Sequence, residues 1–375
     1  MIENPFIIAE RIIPKYFCDR EKESAYMIKL LKNGNNVVLI SQRRVGKTGL
    51  IQFCYDQKEI KNNFLTIYVD ILSTNNLQEF TYILAKEIFD VVKTKGKKRW
   101  MLFLTIVKSM AAKISIDPFT GLPTFNLQLG DIVHPQFTLK EIFQYISESE
   151  VPCILAIDEF QRITCYPEQN IEALLRSHLL QINNCRMIFS GSEKSVLANM
   201  FMSSSRPFYL SSSFLELTVI PKDIYTDFIV GLFKARDKTI SYETASKIYD
   251  MFDGITFYVQ RVCNGIFSNT KKHGKVTDEI IYLTLDEILS SYDVIYRLRL
   301  SQITTRQKEL LIAIAKSEKN EKITSTQFIK KYSLSSSSAV QTSLKALIKD
   351  NLVIKTENGY IIDDRFFRMW LIKNF

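Results

Sequence analysis

The chain has 375 residues, 46% hydrophobic and 24% charged, which is ordinary for a globular protein and long enough for two or three domains with separate cores. Lys and Arg number 49 against 40 Asp and Glu, a net +9 that admits an anionic partner without requiring one. Six scattered cysteines (18, 54, 153, 165, 185, 263) include no C-x-x-C pair, and none of the three histidines (134, 178, 273) has metal-ligand spacing. This argues against a disulfide scaffold and against a zinc or histidine-based metal site, and leads to the expectation of reduced core thiols in a cytoplasmic protein.

The opening MIENPFIIAERIIPKYF carries charge in its first turns and lacks the apolar core of a signal peptide. Residues 37 to 40, VVLI, form a short continuous apolar run of the kind found in a buried strand. The stretch SQRRVGKTGL (41 to 50) follows directly, and TGLIQFCYDQK continues as a helix. Further buried strands are expected at FLTIYVDI (64 to 71), PCILAIDEF (152 to 160) and CRMIFSGS (185 to 192), separated by helical patterns such as LQEFTYILAKEIFDVVK. Strands alternating with helices predict an α/β fold with a parallel sheet covered on both faces.

An insertion, at about 95 to 135, interrupts this alternation. Its basic run KTKGKKRW reads as a solvated loop, with an anion-binding patch as the other reading. The run WMLFLTIVKSMAA (100 to 112) is too short to span a bilayer and is interrupted by Lys108, so a buried helix is expected and no membrane segment. KISIDPFTGLPTFNLQLG, with a Pro/Gly-rich centre between alternating flanks, predicts a β-hairpin.

After Pro221 the pattern turns helical, with IYTDFIVGLFKAR, YETASKIYDMFD, ITFYVQRVCNGIFSNT and TDEIIYLTLDEIL predicting a four-helix unit over about 222 to 292. From about 296, RQKELLIAIAKSE, TSTQFIKKY and SSSAVQTSLKALIKDN read as three short helices, and VIKTENGYIID as two strands turned at Asn358-Gly359. Helix-turn-helix plus hairpin is a winged-helix pattern. In FFRMWLIKNF, the residues Phe366, Phe367, Trp370 and Leu371 recur at helical spacing and predict a last helix packed on that domain. The expected divisions are 1–220, 221–295 and 296–375.

The stretch at 41 to 50 fits the phosphate loop G-x-x-x-x-G-K-[ST], with Ser41 in place of the first glycine. A polyphosphate needs close hydrogen-bond donors and fixed positive charge. Backbone N–H groups of Gln42, Arg43, Arg44, Val45, Gly46, Lys47 and Thr48 would supply the donors at the start of a helix whose dipole favours anions, and Gly49 completes the expected nucleotide-binding stretch. Gly46 allows close approach, Lys47 would reach the β- and γ-phosphates, and the Thr48 hydroxyl would ligate Mg²⁺. Ser41 fits the strand end if its φ is negative.

Downstream, CILAID followed by Glu159 is an apolar strand ending in two carboxylates. Asp158 would orient Mg²⁺ or its water and Glu159 would polarise the attacking water; the alternative is that both merely close a strand. In RMIFSGS, Ser190 or Ser192 would sense the γ-phosphate, or else simply close a tight turn. Arg206 is a candidate arginine finger, acting in cis or from a neighbouring copy, or else a surface ion-pair partner. The sequence is compatible with self-association.

These segments together resemble the prokaryotic P-loop ATPases often called archaeal-type ATPases, of the AAA+/STAND class. The likeness rests on YFCDREKE (16 to 23), SQRRVGKT, IYVDI with Asp70, LAIDEFQ, IFSGS, DGITFYVQ and DDRFFRMW (363 to 370), which span nearly the whole chain in family order. The resemblance implies an AAA+-like core binding ATP or ADP, a helical lid and a C-terminal winged helix. It also implies that Phe17, Asp19 and Arg20 lie over the adenine. In the lid, Gly254 to Tyr258 matches the family's G-x-x-x-Y, with Thr256 where proline is common.

From 301 to 375 there are 13 Lys/Arg and 7 Asp/Glu, so +6 of the net charge falls on the last block. The presented helix would display Gln341, Thr342 and Lys345. With few arginines to read bases, contact with duplex DNA would rest on phosphates; the other reading is packing against the core or a partner protein. The function this predicts is a nucleotide-driven switch with slow Mg-dependent ATP hydrolysis. The alternative is a non-catalytic interaction or DNA-binding module that retains a nucleotide as structural filler.

Overall fold

The computed structural model describes residues 4–8, 14–111, 114–116, 123–125, 127–179, 182–318, 321–356 and 359–375. The chain divides into two compact units, Ala9–Ile220 and Met1–Ile8 with Pro221–Phe375.

In the first unit, the strands β1 (Val37–Ser41), β2 (Leu65–Asp70), a short pair β3 (Ile114–Ile116) and β4 (Pro123–Phe125), β5 (Cys153–Asp158), β6 (Cys185–Gly191) and β7 (Ser213–Leu217) appear in chain order. The main sheet has the order β2-β5-β6-β1-β7, and every pairing in it is parallel. The continuous apolar runs follow from this. A strand buried on both faces has no polar side, and β5 is buried along its whole length. One face packs Ile67, Val69, Leu155, Ile157 and Phe189 against the helix Leu77–Lys93, and the other packs Val37, Leu39, Ile154, Ala156 and Ile188 against the helix Lys47–Asp56. Asn76 caps the helix Leu77–Lys93 by accepting from the Glu79 N–H at 2.9 Å.

β7 was not marked by periodicity. Its SFLEL follows a serine run, and only Leu215 and Leu217 are buried, so the edge strand lacks the apolar run that betrays the others. The insertion also departs from expectation. The basic run is only partly a loop, because Lys97–Ile106 is a helix that follows directly on Gly96 (φ 108°). The apolar run after it does not form one buried helix. It breaks at Val107 before a second short helix, Lys108–Ala111, and while Trp100 and Phe103 are buried, Met101 is exposed. β3 and β4 pair antiparallel as the expected hairpin, with Ser115 opposite Thr124. Its turn, 117–122, lies outside the described residues.

The second unit opens with four helices, Lys222–Lys234, Tyr242–Met251, Thr256–Asn269 and Asp278–Ser291. Residues 4–8 pack here: Phe6 is fully buried against Phe233 and Phe267, and Asn4 donates to the Asn264 carbonyl at 2.9 Å. A further helix, Asp293–Ser301, follows, which the sequence pattern had not isolated. Three helices, Thr305–Lys316, Thr326–Lys331 and Ser337–Lys349, then precede the antiparallel hairpin β8 (Val353–Thr356) and β9 (Gly359–Ile362) and a last helix, Arg365–Asn374. This is the winged-helix pattern. Side chains of Thr304, Ser325, Ser336 and Asp364 cap these helices, so the starts were legible from their Ser/Thr/Asp residues. Gly359 sits at φ 117°, as a hairpin turn demands, while its neighbour Asn358 lies outside the described residues.

DGITFYVQ and DDRFFRMW, far apart in sequence, meet in this unit. Arg365 pairs with Asp253 at 3.0 Å, its backbone N–H donates to the Tyr258 hydroxyl at 3.1 Å, and that hydroxyl donates to the Asp363 carbonyl at 3.3 Å. Phe366 packs edge-on against Phe252 and Tyr258 at 5.5 and 5.0 Å between ring centroids. Phe366→Ala is therefore expected to destabilise this unit by about 3–5 kcal/mol. Urea unfolding of the full chain checks this, and an unchanged midpoint would contradict it. No helix among the described residues is long and apolar enough to cross a membrane.

Candidate active site

Parallel strands bring their carboxyl ends to one edge of the sheet, and there the polar residues collect. β1 ends at Ser41, β5 at Asp158 and β6 at Gly191, with β6 lying between the other two. Side-chain alternation places Tyr68, Asp158, Ser190 and Ser41 on the sheet face that carries Ala156, Ile188 and Leu39.

Ser41 is fully buried and donates to the Gln42 carbonyl at 2.8 Å. Its φ is not positive; the left-handed residues of the loop are Arg44 (66°) and Gly46 (104°). A serine therefore closes the strand without backbone strain, and the special conformation has moved along the loop. A Cβ at Gly46 would meet nothing within 4 Å, so the glycine is required by its φ and leaves open space above the helix start. Val45 is buried and anchors the loop from below. No side chain caps the helix Lys47–Asp56, whose first N–H groups have no intrahelical acceptor.

Lys47 is 7% exposed, and its Nζ lies 3.9 Å from Glu159 Oε1, an ion-pair distance longer than a hydrogen bond. Burial holds its pKa below the ordinary lysine value; Glu159 and Asp158 oppose that shift and Arg43 adds to it. An ammonium placed this way is poised for an anion.

Asp158 gathers four donors. Thr48 Oγ1 and the Tyr68 hydroxyl donate to Oδ2 at 3.1 and 2.6 Å, while Oδ1 accepts from Ser190 Oγ and from the Glu159 N–H at 3.0 Å. Burial first, then the charge of Asp158, pushes the Tyr68 phenol well up, so it acts as a neutral donor. Asp70, paired in register with Asp158, has its carboxyl raised, chiefly by burial and further by Asp158 and Glu159.

Glu159 leaves the strand at φ 56°. Its Oε2 accepts from Gln161 Nε2 at 2.6 Å and from Ser192 Oγ at 2.8 Å, and Arg43 Nε donates to Ser192 Oγ at 3.2 Å. The phosphate-loop pattern, the acidic pair, Ser190 and Ser192 thus form one connected network.

Other predicted residues stand around it. Phe17 stacks on Phe53 of the helix Lys47–Asp56 at 4.4 Å, beside Gly49. Asp19 and Arg20 turn the chain at positive φ, and Arg20 is buried, donating to the Thr218 carbonyl at 2.5 Å and to Glu23 at 2.8 Å. Gln42 and Arg44 lie in the loop half-buried. Arg206 is engaged by Glu172 at 2.5 Å, and none of its described contacts reaches Lys47, Asp158 or Glu159.

Sequence reasoning missed Tyr68, Gln161 and Glu172 as partners. Tyr68 stood two residues before Asp70 in IYVDI, and Gln161 two after Glu159, so only the strand alternation and the motif's edge pointed to them.

A hydroxyl and a carboxylate 3.1 Å apart suit a small hard cation that keeps phosphate oxygens and water in its shell. Groups of three or more metal-ligating side chains are absent among the described residues, and such a cation needs none.

A family model described as an ATPase domain predominantly from Archaea matches residues 17–262, and one described as a probable winged helix domain matches residues 294–373. Among solved structures, the chain is similar to the Walker-type ATPase PABY2304 of Pyrococcus abyssi, at 19% identity and TM-score 0.66 over 98% of this chain and 99% of that one. It is also similar to the Aeropyrum pernix ORC2 protein in its ADPNP-ADP complexes, at 14% identity and TM-score 0.61 over 98% and 95%. The third is the Aeropyrum pernix ORC1 protein in complex with DNA, at 13% identity and TM-score 0.53 over 99% and 96%. At such identities the likeness is one of fold. No curated protein matches the sequence.

Proposed function

The chain belongs to the family of ATPase domains found predominantly in Archaea, and on that premise we propose that it is a Mg-dependent ATPase whose nucleotide state is passed to the winged helix. The observation that carries the reading is the convergence of Lys47, Thr48, Asp158 and Glu159 on one sheet edge, with Thr48 on Asp158 and Lys47 beside Glu159. A site that merely stored a nucleotide would have no need of Glu159 next to the phosphate-loop lysine.

The residues divide the work. Lys47 and the N–H groups of residues 42–49 take the charge of the β- and γ-phosphates, with the open space over Gly46 admitting them. Thr48 and Asp158 would hold Mg²⁺, which when bound neutralises charge on the transferred phosphoryl group. Glu159 accepts the proton of the attacking water, and Ser192 holds its carboxylate in place. Phe17 stacks on Phe53 of the helix Lys47–Asp56, and the base would sit beside it, with Asp19 and Arg20 following in the chain. Arg206 supplies charge as a finger only after its pair with Glu172 opens. The ADPNP-ADP complexes of the similar ORC2 protein support the nucleotide in this reading.

For the winged helix we infer weak, phosphate-led contact with duplex DNA, by analogy with the DNA complex of the similar ORC1 protein. Gln341, Thr342, Lys345 and Lys349 are exposed on the helix Ser337–Lys349. Such contact weakens steeply with salt. The reading also places the protein in the cytoplasm, where its six free cysteines stay reduced.

The test is the rate of phosphate release from Mg·ATP, with and without duplex DNA, at two salt concentrations. Turnover that DNA alters at low salt and not at high salt is expected. No turnover under any condition would remove the ATPase, and turnover indifferent to DNA would remove the duplex as partner.

A further inference from the structure

We propose that Gln161 is a positioning residue for ATP hydrolysis, holding Glu159 in the pose in which it works, and that Gly191 is a glycine in order to make room for it. This rests on the preceding reading of the site.

Gln161 is held against the Glu159 carboxylate. It lies on the short 3-10 turn Phe160–Cys165, is 5% exposed, and turns back so that Nε2 donates to Glu159 Oε2 at 2.6 Å. Ser192, just after β6, reaches the same oxygen through Oγ at 2.8 Å and its N–H at 3.3 Å. With Oε2 held by two elements, Oε1 is the oxygen turned toward Lys47.

Two further observations separate this from ordinary packing. Gln161 Oε1 is buried and has no hydrogen-bond partner among the described residues. A glutamine serving only to fill space would be replaced by an apolar side chain or would turn its amide over. This one cannot turn, because only the NH₂ end can face a carboxylate. The unsatisfied oxygen is the cost of supporting Glu159.

The second observation concerns Gly191. A Cβ there would lie 2.0 Å from Gln161 Oε1, 3.1 Å from its Cδ and 3.2 Å from Leu197 Cδ2, so the amide oxygen is the nearest obstacle by more than 1 Å. Gly191 does not have positive φ, so backbone conformation does not demand glycine. The amide of Gln161 does.

The experiment measures kcat and KM for Mg·ATP in the full chain. Gln161→Met keeps the volume and removes the donor, and is expected to lower kcat about 10-fold or more, the effect of losing a hydrogen bond to a charged group, with KM little changed. Gly191→Ala displaces the same amide without touching Glu159, and should lower kcat in the same direction; it also serves if Gln161→Met does not fold. In a Glu159→Gln background, Gln161→Met should have no further effect on kcat, because it acts through Glu159. A wild-type rate in both Gln161→Met and Gly191→Ala would overturn the proposal, as would an undiminished loss in the Glu159→Gln background. Wild-type protein that turns over no ATP would overturn both this and the function on which it rests, whereas active wild type with indifferent variants overturns this alone.

Discussion

Glu159→Gln is expected to bind Mg·ATP as tightly as wild type while hydrolysing it on the order of 10²–10⁴-fold more slowly, the usual contribution of a positioned general base. The fold should tolerate the change. The amide oxygen of the new side chain can take the place of Oε2 and accept the same bonds from Gln161 and Ser192. Its NH₂ then faces Lys47 across the 3.9 Å now spanned by the ion pair. What disappears is the carboxylate proposed to take a proton from water. The loss corresponds to roughly 3–5 kcal/mol of transition-state stabilisation. Single-turnover kinetics and equilibrium titration separate the two effects, and equal turnover would clear Glu159 of its role and restore the reading of a stored nucleotide.

Lys47→Ala should abolish measurable Mg·ATP binding while leaving the fold intact. The ammonium is nearly buried, so folding it already costs desolvation, and the shortened side chain relieves that cost. Binding suffers more. A phosphate left without its buried cation loses about 2 kcal/mol or more, roughly a 30-fold drop in affinity at the least. The two carboxylates at the same edge then act on the anion with less opposition. The depressed pKa of Lys47 gives a second readout. As pH rises through that lowered pKa the free protein loses the ammonium, so affinity should fall at a lower pH than an ordinary lysine would dictate. Because bound phosphate favours the charged form, binding in that window takes up a proton. Calorimetry in buffers of different ionisation enthalpy detects it. Undiminished affinity in Lys47→Ala, or the same alkaline decline in that variant, would exclude this role for Lys47.

The loop and the acidic pair were legible in the sequence because their chemistry is local. Gly46, Lys47 and Thr48 are consecutive, follow an apolar strand and open a helix, and Asp158 and Glu159 sit together at the end of another strand. The winged helix was legible through its caps and its apolar last helix, whose Phe366, Phe367, Trp370 and Leu371 are all buried. What escaped depends on register between distant segments. Tyr68 matters because β2 lies beside β5, which brings its hydroxyl to Asp158; nothing within IYVDI says so. Gln161 matters because β6 approaches with a glycine opposite it. Arg206 was left between two roles, and the structure gives it an ion pair with Glu172, a helix residue with no distinguishing neighbourhood in sequence. β7 escaped because an edge strand after a serine run buries too few side chains to show a pattern.

A crystal structure of the full chain with Mg·ADP bears most directly on the whole reading. The β-phosphate should lie within hydrogen-bond distance of Lys47 Nζ and the amides that follow Gly46, with the metal beside Thr48. A nucleotide bound on another edge of the sheet, or phosphates turned away from Lys47, would contradict it.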